Sequence, residues 1–331
     1  MTQEKEHSPA RILSLAGGCW EPCALHCGVK LGVFTLLADE PRTADQVARR
    51  LNASERGILL LLNALAAMGL LHKEGDTFQD TAETRLFLDK RSPRYIGYMV
   101  MHHHHLVDGW NRLDEAVMTG KPVNKRCHGE EQERESFLMG MYNLSMAIAP
   151  ELSQKIDLSG KKRLLDVGGG PGVHAAHFCL ANPGLAATVF DRPATEPFAR
   201  RTAEQFGVAD RLEFAAGDFL LDPLPGGHDV AWLSQVLHSN TPDECRELIR
   251  KTIAALKLGG AILVHEFFLD DTMAAPRFPA VFSLNMLIGN RGRSYSESEV
   301  RRLFTDCGVT HVTRLDFTGP NDSGVLIGIA P

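Results

Sequence analysis

The chain has 331 residues, enough for two domains, with the apolar and charged content of an ordinary globular protein. Its formal net charge of -6 argues against a nucleic-acid partner, because neutralising a phosphate backbone needs a basic face. The apolar run over residues 58–71 is too short for a bilayer and is broken by Asn63, and the segment from Met1 to His7 lacks the apolar core of a secretory signal. No membrane partner and a cytoplasmic location are therefore expected. The seven cysteines are odd in number, scattered and free of C-x-x-C pairs, which points to reduced thiols.

Residues 11–39 read as helices. Cys19, Cys23 and Cys27 recur every four residues and stack on one helical face. His26 lies off that face and Pro22 disturbs the helix, so they are read as small core residues rather than as metal ligands. Thr43 caps a helix running to Leu51 with apolar residues at helical spacing. Asn52-Ala53-Ser54 turns the chain and supplies a second cap, and Ile58 to Leu70 follows as a strongly apolar helix ending at Gly69. Leu71 to Gln79 reads as two short strands around a Gly75-Asp76 turn. Helix-turn-helix plus hairpin makes a winged helix.

A winged helix suggests DNA binding, and a regulator is the rival from another functional class. Here the second helix carries Glu55 and Arg56 and is then almost wholly apolar, with nothing to read a groove edge. That composition suits burial against another subunit, so a homodimerisation domain over residues 1–100 is expected.

From Arg94 to Ile156 the pattern is helical, with breaks at Gly120-Lys121-Pro122 and Cys127-His128-Gly129. His102 to His105 point to different sides of their helix, whereas metal ligands prefer an i, i+4 pair. No metal is expected, although one or two of these histidines could face a substrate pocket. Residues 101–157 are read as a helical connector contributing to the acceptor pocket, and residues 158–331 as a ligand-binding domain.

That domain opens on Arg163-Leu164-Leu165-Asp166-Val167-Gly168-Gly169-Gly170-Pro171-Gly172, a strand running into a glycine turn, with a helix from His174. Such a corner lets backbone approach a ligand closely and presents free N–H groups to it. No Lys-Ser/Thr follows, so it is no P-loop, and Gly168, Gly170 and Gly172 do not have G-x-G-x-x-G spacing. Asp166 before the loop would repel a pyrophosphate, yet suits a ligand with an amino group and a sulfonium. That favours S-adenosylmethionine over NAD.

Beyond the loop, Ala187 to Phe190, Leu212 to Ala215, Asp229 to Leu233 and Ala261 to Phe268 are apolar strands alternating with helices, which gives a parallel doubly wound sheet. His311 to Phe317 and Gly324 to Ile329 are too close in sequence for a crossover helix and must pair antiparallel. The fold class is thus α/β and Rossmann-like, with seven strands and an antiparallel C-terminal hairpin. Asp191 ends the second strand where an acid meets ribose hydroxyls, and Gly217-Asp218-Phe219 ends the third, where a carboxylate and a ring suit an adenine. His238 lies just past the fourth strand, at the crevice, and can take a proton from an acceptor hydroxyl. Glu266 ends the neighbouring fifth strand and can orient that imidazole.

Taken together, these residues resemble the S-adenosylmethionine-dependent O-methyltransferases of the caffeic acid and acetylserotonin type, over nearly the whole chain. The family's D-V-G-G-G-x-G stands as Asp166 to Gly172, F-D-x-P as Phe190 to Pro193 and G-D-F as Gly217 to Phe219. L-H-D-W stands as Leu237 to Asn240, L-K-P-G-G as Leu256 to Gly260, and F-x-x-x-M-x-x-x-S as Phe137 to Ser145. The resemblance implies donor contacts from Ser145, Asp166, the loop glycines, Asp191, Arg192, Gly217, Asp218, Phe219 and Ser234. It implies His238 as base, Glu266 as its partner, and an acceptor pocket drawing on Phe137, Met141, Met286 and Asn290. Three departures stand out: Ser239-Asn240 after the histidine, no acid near Arg293-Ser294-Tyr295 to match the family's second supporting glutamate, and Leu258 for proline. The expected reaction is O-methylation of a small aromatic or polyketide-like hydroxyl. The alternative is a C-methyltransferase of the tetrapyrrole or carotenoid type, or a non-methylating relative that uses the same donor site.

Overall fold

The computed structural model describes residues 8–124 and 131–331, so the expected break at residues 127–129 lies outside the described residues. The chain folds as two compact units, Met1–His105 and Leu106–Pro331. The first unit opens with helices α1 (Ala10–Ala16), α2 (Trp20–Lys30) and α3 (Val33–Leu37), then strand β1 (Arg42–Thr43) and helices α4 (Ala44–Leu51) and α5 (Glu55–Ala67). Strands β2 (Leu71–Glu74) and β3 (Thr77–Asp80) form the expected hairpin and α6 (Ala82–Leu88) follows; α7 (Gly97–Trp110) carries the chain into the second unit. Thr43 caps α4 in a reciprocal box with Gln46, and Ser54 accepts from the Gly57 N–H, so α5 begins three residues earlier than its apolar run. β1 pairs with β3, which makes the hairpin a three-stranded sheet.

Helical periodicity puts Ile58, Leu62 and Leu65 on one face of α5, buried with Phe34, Leu37, Val47 and Phe78. The other face keeps Leu59 and Leu60 exposed, and Ile12, Leu13, Leu15 and Trp20 are also exposed in the single chain. The three cysteines expected in the core lie outside it. Cys19, Cys23 and Cys27 are exposed, whereas α2 buries His26, Gly28 and Val29.

The second unit continues with α8 (Leu113–Thr119) and the long α9 (Glu131–Lys155). The sheet and its helices then alternate as β4 (Arg163–Val167), α10 (Val173–Ala181), β5 (Ala186–Asp191), α11 (Glu196–Gln205), β6 (Leu212–Ala216), β7 (His228–Ser234), α12 (Pro242–Ala255) and β8 (Leu256–Phe267). Helices α13 (Arg277–Gly289) and α14 (Glu297–Asp306) precede β9 (Thr310–Arg314) and β10 (Ser323–Ile329). The seven strands lie in the order β6-β5-β4-β7-β8-β10-β9, with only β10 antiparallel to its neighbours. Leu256 to Gly260, ahead of the strand expected from Ala261, belong to β8: the strand slips register against β7 there, with Gly259 at φ +70° and Leu258 exposed.

Alternation along the strands divides the core. Leu164, Val230, Trp232 and Leu263 face one layer with α9 and α10, while Leu165, Val167, Leu233 and Val264 face the other with α12 and α14. Asp166, Ser234 and His265 share the parity of the first set, and Glu266 shares that of the second. The sheet's carboxyl edge therefore carries two sets of polar groups on opposite faces. In the first unit, fully buried Leu62 anchors the core. Leu62→Ala is expected to lower unfolding free energy by about 2–5 kcal/mol, read as a shifted denaturant midpoint at constant slope.

Candidate active site

The glycine turn lies between β4 and α10. Gly168, Gly170 and Gly172 have φ of +67°, +54° and +72°, values that side chains rarely adopt. Gly170 turns its N–H onto Asp191 Oδ2 at 2.8 Å, and a methyl group added at its Cα would meet open space rather than protein. Asp191 also accepts from the Arg192 N–H at 2.6 Å and the Thr195 hydroxyl at 3.4 Å. Burial raises its carboxyl above the ordinary range, and the N–H groups of Arg192 and Gly170 offset part of that rise.

A cavity of about 580 Å³ opens above this edge, the size of a small-molecule site. Its wall includes Asp166, Gly168, Gly170, Asp191, Arg192, Phe219 and Ser234 from the donor set, with Ser145, Phe137, Met141 and Asn290. Along α9, the wall residues Arg134, Phe137, Met141, Ser145 and Ile148 form one stripe at helical spacing. The wall is drawn from Arg134 through Ser323, so residues 101–110 have no part in it.

Six expected residues sit behind the wall or beside it. Gly172 caps α10. Gly217 is small because a Cβ there would strike the Phe190 ring, 2.4 Å away. Asp218 accepts from the Leu220 N–H at 2.9 Å and pairs with Arg192 at 3.6 Å. Met286 is fully buried and takes a contact from the Asn290 amide on its sulfur at 3.7 Å. His238 is the fifth, flanked by the wall residues Ser239 and Phe267, and its partner Glu266 is the sixth.

His238 Nδ1 lies 2.8 Å from Glu266 Oε2, and both side chains are buried. Glu266 Oε1 accepts from the backbone N–H groups of Leu237 at 2.8 Å and His238 at 3.3 Å, which pins the carboxylate to the turn carrying its partner. The imidazole stands edge-on to Phe282 at 5.0 Å and stacks near Phe267 at 6.2 Å, and Phe278 completes the aromatic group. Where the family has an acid near residues 293–295, the Tyr295 hydroxyl donates to the Asn240 carbonyl at 2.6 Å and holds the end of the same turn. Among the described residues no group of three or more His, Cys, Asp or Glu is arranged to hold a metal ion.

The other face of the sheet holds Asp166 together with two histidines that have no role in the expected site. Asp166 is buried, and neither carboxylate oxygen has a hydrogen-bond partner among the described residues. Burial, then Asp191, pushes its carboxyl up to about 8; the Ala175 N–H, close but outside hydrogen-bond geometry, offsets part of this. His174 and His265 also line the cavity, buried, and Ser234 Oγ lies 2.8 Å from His265 Nδ1. Their signal was present: His265 alternates with Glu266 on one strand, and His174 stands in the first turn after the glycines. Buried polar atoms left unmet cost about 1–3 kcal/mol each, so this edge is built for a polar occupant. Unmet Asp166 and the open space at Gly170 fit a donor with an ammonium group and a ribose.

Residues 108–310 match the model of the O-methyltransferase domain, and residues 13–90 match that of the O-methyltransferase dimerisation domain. The chain belongs to the O-methyltransferase family. It is 34% identical to a 3-hydroxy-5-methyl-1-naphthoate 3-O-methyltransferase of Streptomyces sahachiroi, over 97% of this chain and 95% of that one. It is also 34% identical to an N,N-dimethyltransferase of Streptomyces rimosus, over 78% of each chain. Among solved structures, human N-acetylserotonin methyltransferase in complex with S-adenosylmethionine superposes with a TM-score of 0.88 at 26% identity, covering 99% of both chains. The chain is thus an S-adenosylmethionine-dependent methyltransferase, and no described helix is long and apolar enough to cross a membrane.

A donor ammonium seated at Asp166 would give binding a pH dependence with a definite sign. In the ligand-free site its carboxyl holds a proton below about 8, and an adjacent ammonium favours the carboxylate. Binding therefore releases a proton, and affinity for S-adenosylhomocysteine should rise from pH 6 to pH 8 and then level off. Calorimetry in buffers of differing ionisation enthalpy should detect that proton for wild type and a smaller release for Asp166→Asn.

Proposed function

We propose that this methyltransferase transfers the methyl group to a hydroxyl of a small aromatic or polyketide-like acceptor, with His238 as general base. The observation that carries the reading is the His238–Glu266 pair, buried against Phe267 and Phe282 beside the cavity. S-adenosylmethionine supplies an electrophilic methyl on a sulfonium. Asp191 would hold its ribose, Asp218 and Phe219 its adenine, and Ser145 and Ser234 its amino-acid end. Phe137, Met141 and Asn290 would line the acceptor's side, with Met286 beneath Asn290.

Glu266 accepts at Nδ1, so Nδ1 carries the ring proton and Nε2 is left with the lone pair. Nε2 would take the hydroxyl proton as the acceptor oxygen attacks the methyl carbon in line with the leaving sulfur. The imidazolium so formed is stabilised by the carboxylate behind it. A phenol has a pKa of about 10, so base assistance near neutrality is worth about 10²–10⁴-fold, and positioning in a dry, aromatic pocket supplies much of the rest. Similarity to an enzyme named for a hydroxynaphthoate supports an aromatic acceptor. Similarity to an N,N-dimethyltransferase favours a nitrogen acceptor as the second reading, and the position of the methyl in the product separates the two.

The dimerisation-domain match and the exposed Trp20, Leu59 and Leu60 support a homodimer formed through the first unit. Leu60→Asp should convert the dimer to monomer in light scattering; a variant that stays dimeric at low micromolar concentration excludes that surface. His238→Ala should lower kcat by about 10²–10⁴-fold with an aromatic hydroxyl acceptor, while the dissociation constant of S-adenosylhomocysteine changes little. Wild-type turnover in that variant removes the base assignment.

A further inference from the structure

We propose that His174 and His265 are donor-binding residues: together with Asp166 and Gln235 they hold the amino-acid end of S-adenosylmethionine, directly or through ordered water. The proposal rests on the cavity being the donor site, and it concerns two side chains to which no motif or pairing above gives a role.

Four observations meet at this corner. Both histidines line the cavity, at 7% and 2% exposure. Nδ1 of His174 and Nε2 of His265 have no hydrogen-bond partner among the described residues, as is also true of both Asp166 oxygens, Gln235 Oε1 and the indole N–H of Trp232. Strand register puts these groups side by side: Asp166 pairs with Trp232 and Ser234 pairs with His265, all on the face that packs against α10. The rings form one cluster, with His174 5.3 Å from Trp232 and 6.2 Å from His265, and with His265 stacked on Trp232 at 5.8 Å.

The chemistry of this lining narrows the occupant. Burial lowers His174 to about 3 and His265 to about 4, so both rings are neutral near pH 7. A neutral imidazole offers one N–H donor and one lone pair, and two of them can serve a carboxylate and an ammonium together without adding charge. Ser234 fixes the His265 ring through Nδ1, leaving Nε2 without a partner among the described residues. Asp166 supplies the negative partner for the ammonium. With the ribose at Asp191 on β5, the rest of the donor extends along the carboxyl edge toward β4 and β7, where these groups are. A lone phosphate or an apolar acceptor would leave the carboxylate repelled or unmet.

The test compares two ligands that differ only in this end. S-adenosylhomocysteine carries the amino acid, whereas 5′-methylthioadenosine keeps the nucleoside and thioether without it. In calorimetry or displacement titration, His174→Leu and His265→Leu should each weaken S-adenosylhomocysteine by 10-fold or more and leave 5′-methylthioadenosine within 2-fold. His174→Asn, which keeps a polar atom near the Nδ1 position, should recover most of that loss. Equal weakening of both ligands, or no weakening of either, overturns the proposal and makes the pair a structural element. A second measurement needs no core substitution. In ¹⁵N-histidine-labelled wild type, S-adenosylhomocysteine should shift two buried imidazole resonances that 5′-methylthioadenosine leaves in place, and identical shifts with both ligands reject the assignment. Failure of wild type to bind S-adenosylhomocysteine at all would instead reject the donor site itself.

Discussion

The site depends on one short contact, the Gly170 N–H donating to the Asp191 carboxylate at 2.8 Å. It joins the turn after β4 to the end of β5, and so fixes the two neighbouring strand ends as one surface. The bond requires Gly170 at positive φ, where a side chain would be strained, and leaves free space above that Cα. Parallel strands with all their carboxyl ends on one side place the other functional groups around this contact.

Alternation along the strands then separates two chemistries. Glu266 faces the layer of α12 and anchors His238, whereas His265, one residue earlier, faces α10 and meets Ser234 and His174. A buried carboxylate–imidazole pair and a polar cavity lining are thereby built from adjacent residues of β8 on opposite faces of the sheet. Glu266 is held by two backbone N–H groups and one imidazole, a fully partnered arrangement. The opposite face is left with unmet atoms on Asp166, His174, His265, Trp232 and Gln235, as befits a surface completed by a ligand.

The first unit follows a different principle. Its core is small, and α5 has more apolar side chains than one core can cover: Ile58, Leu62 and Leu65 fill the inside, and Leu59 and Leu60 remain outside. A largely apolar second helix, whose charged residues are Glu55 and Arg56, suits association rather than groove reading.

The sequence by itself determined the order of the elements, the glycine corner, the antiparallel end of the sheet, and many of the residues that line the cavity. These are local signals: turn chemistry, caps and apolar period depend on residues close in the chain. Periodicity alone could not place Cys19, Cys23 and Cys27, because a stripe on a helix does not say which side meets the core; His26 and Val29 took it. Nor could it show that Leu256 to Gly260 belongs to a bulged strand, since the bulge exists only against the partner register of β7. The histidine cluster is the clearest case. His174 and His265 are 91 positions apart in the numbering, and what brings their rings to 6.2 Å is the side-by-side placement of β4, β7 and β8 with α10 packed over them. Their burial, which keeps them neutral and leaves one nitrogen on each without a partner among the described residues, is a property of that packing and was decided only by the tertiary structure.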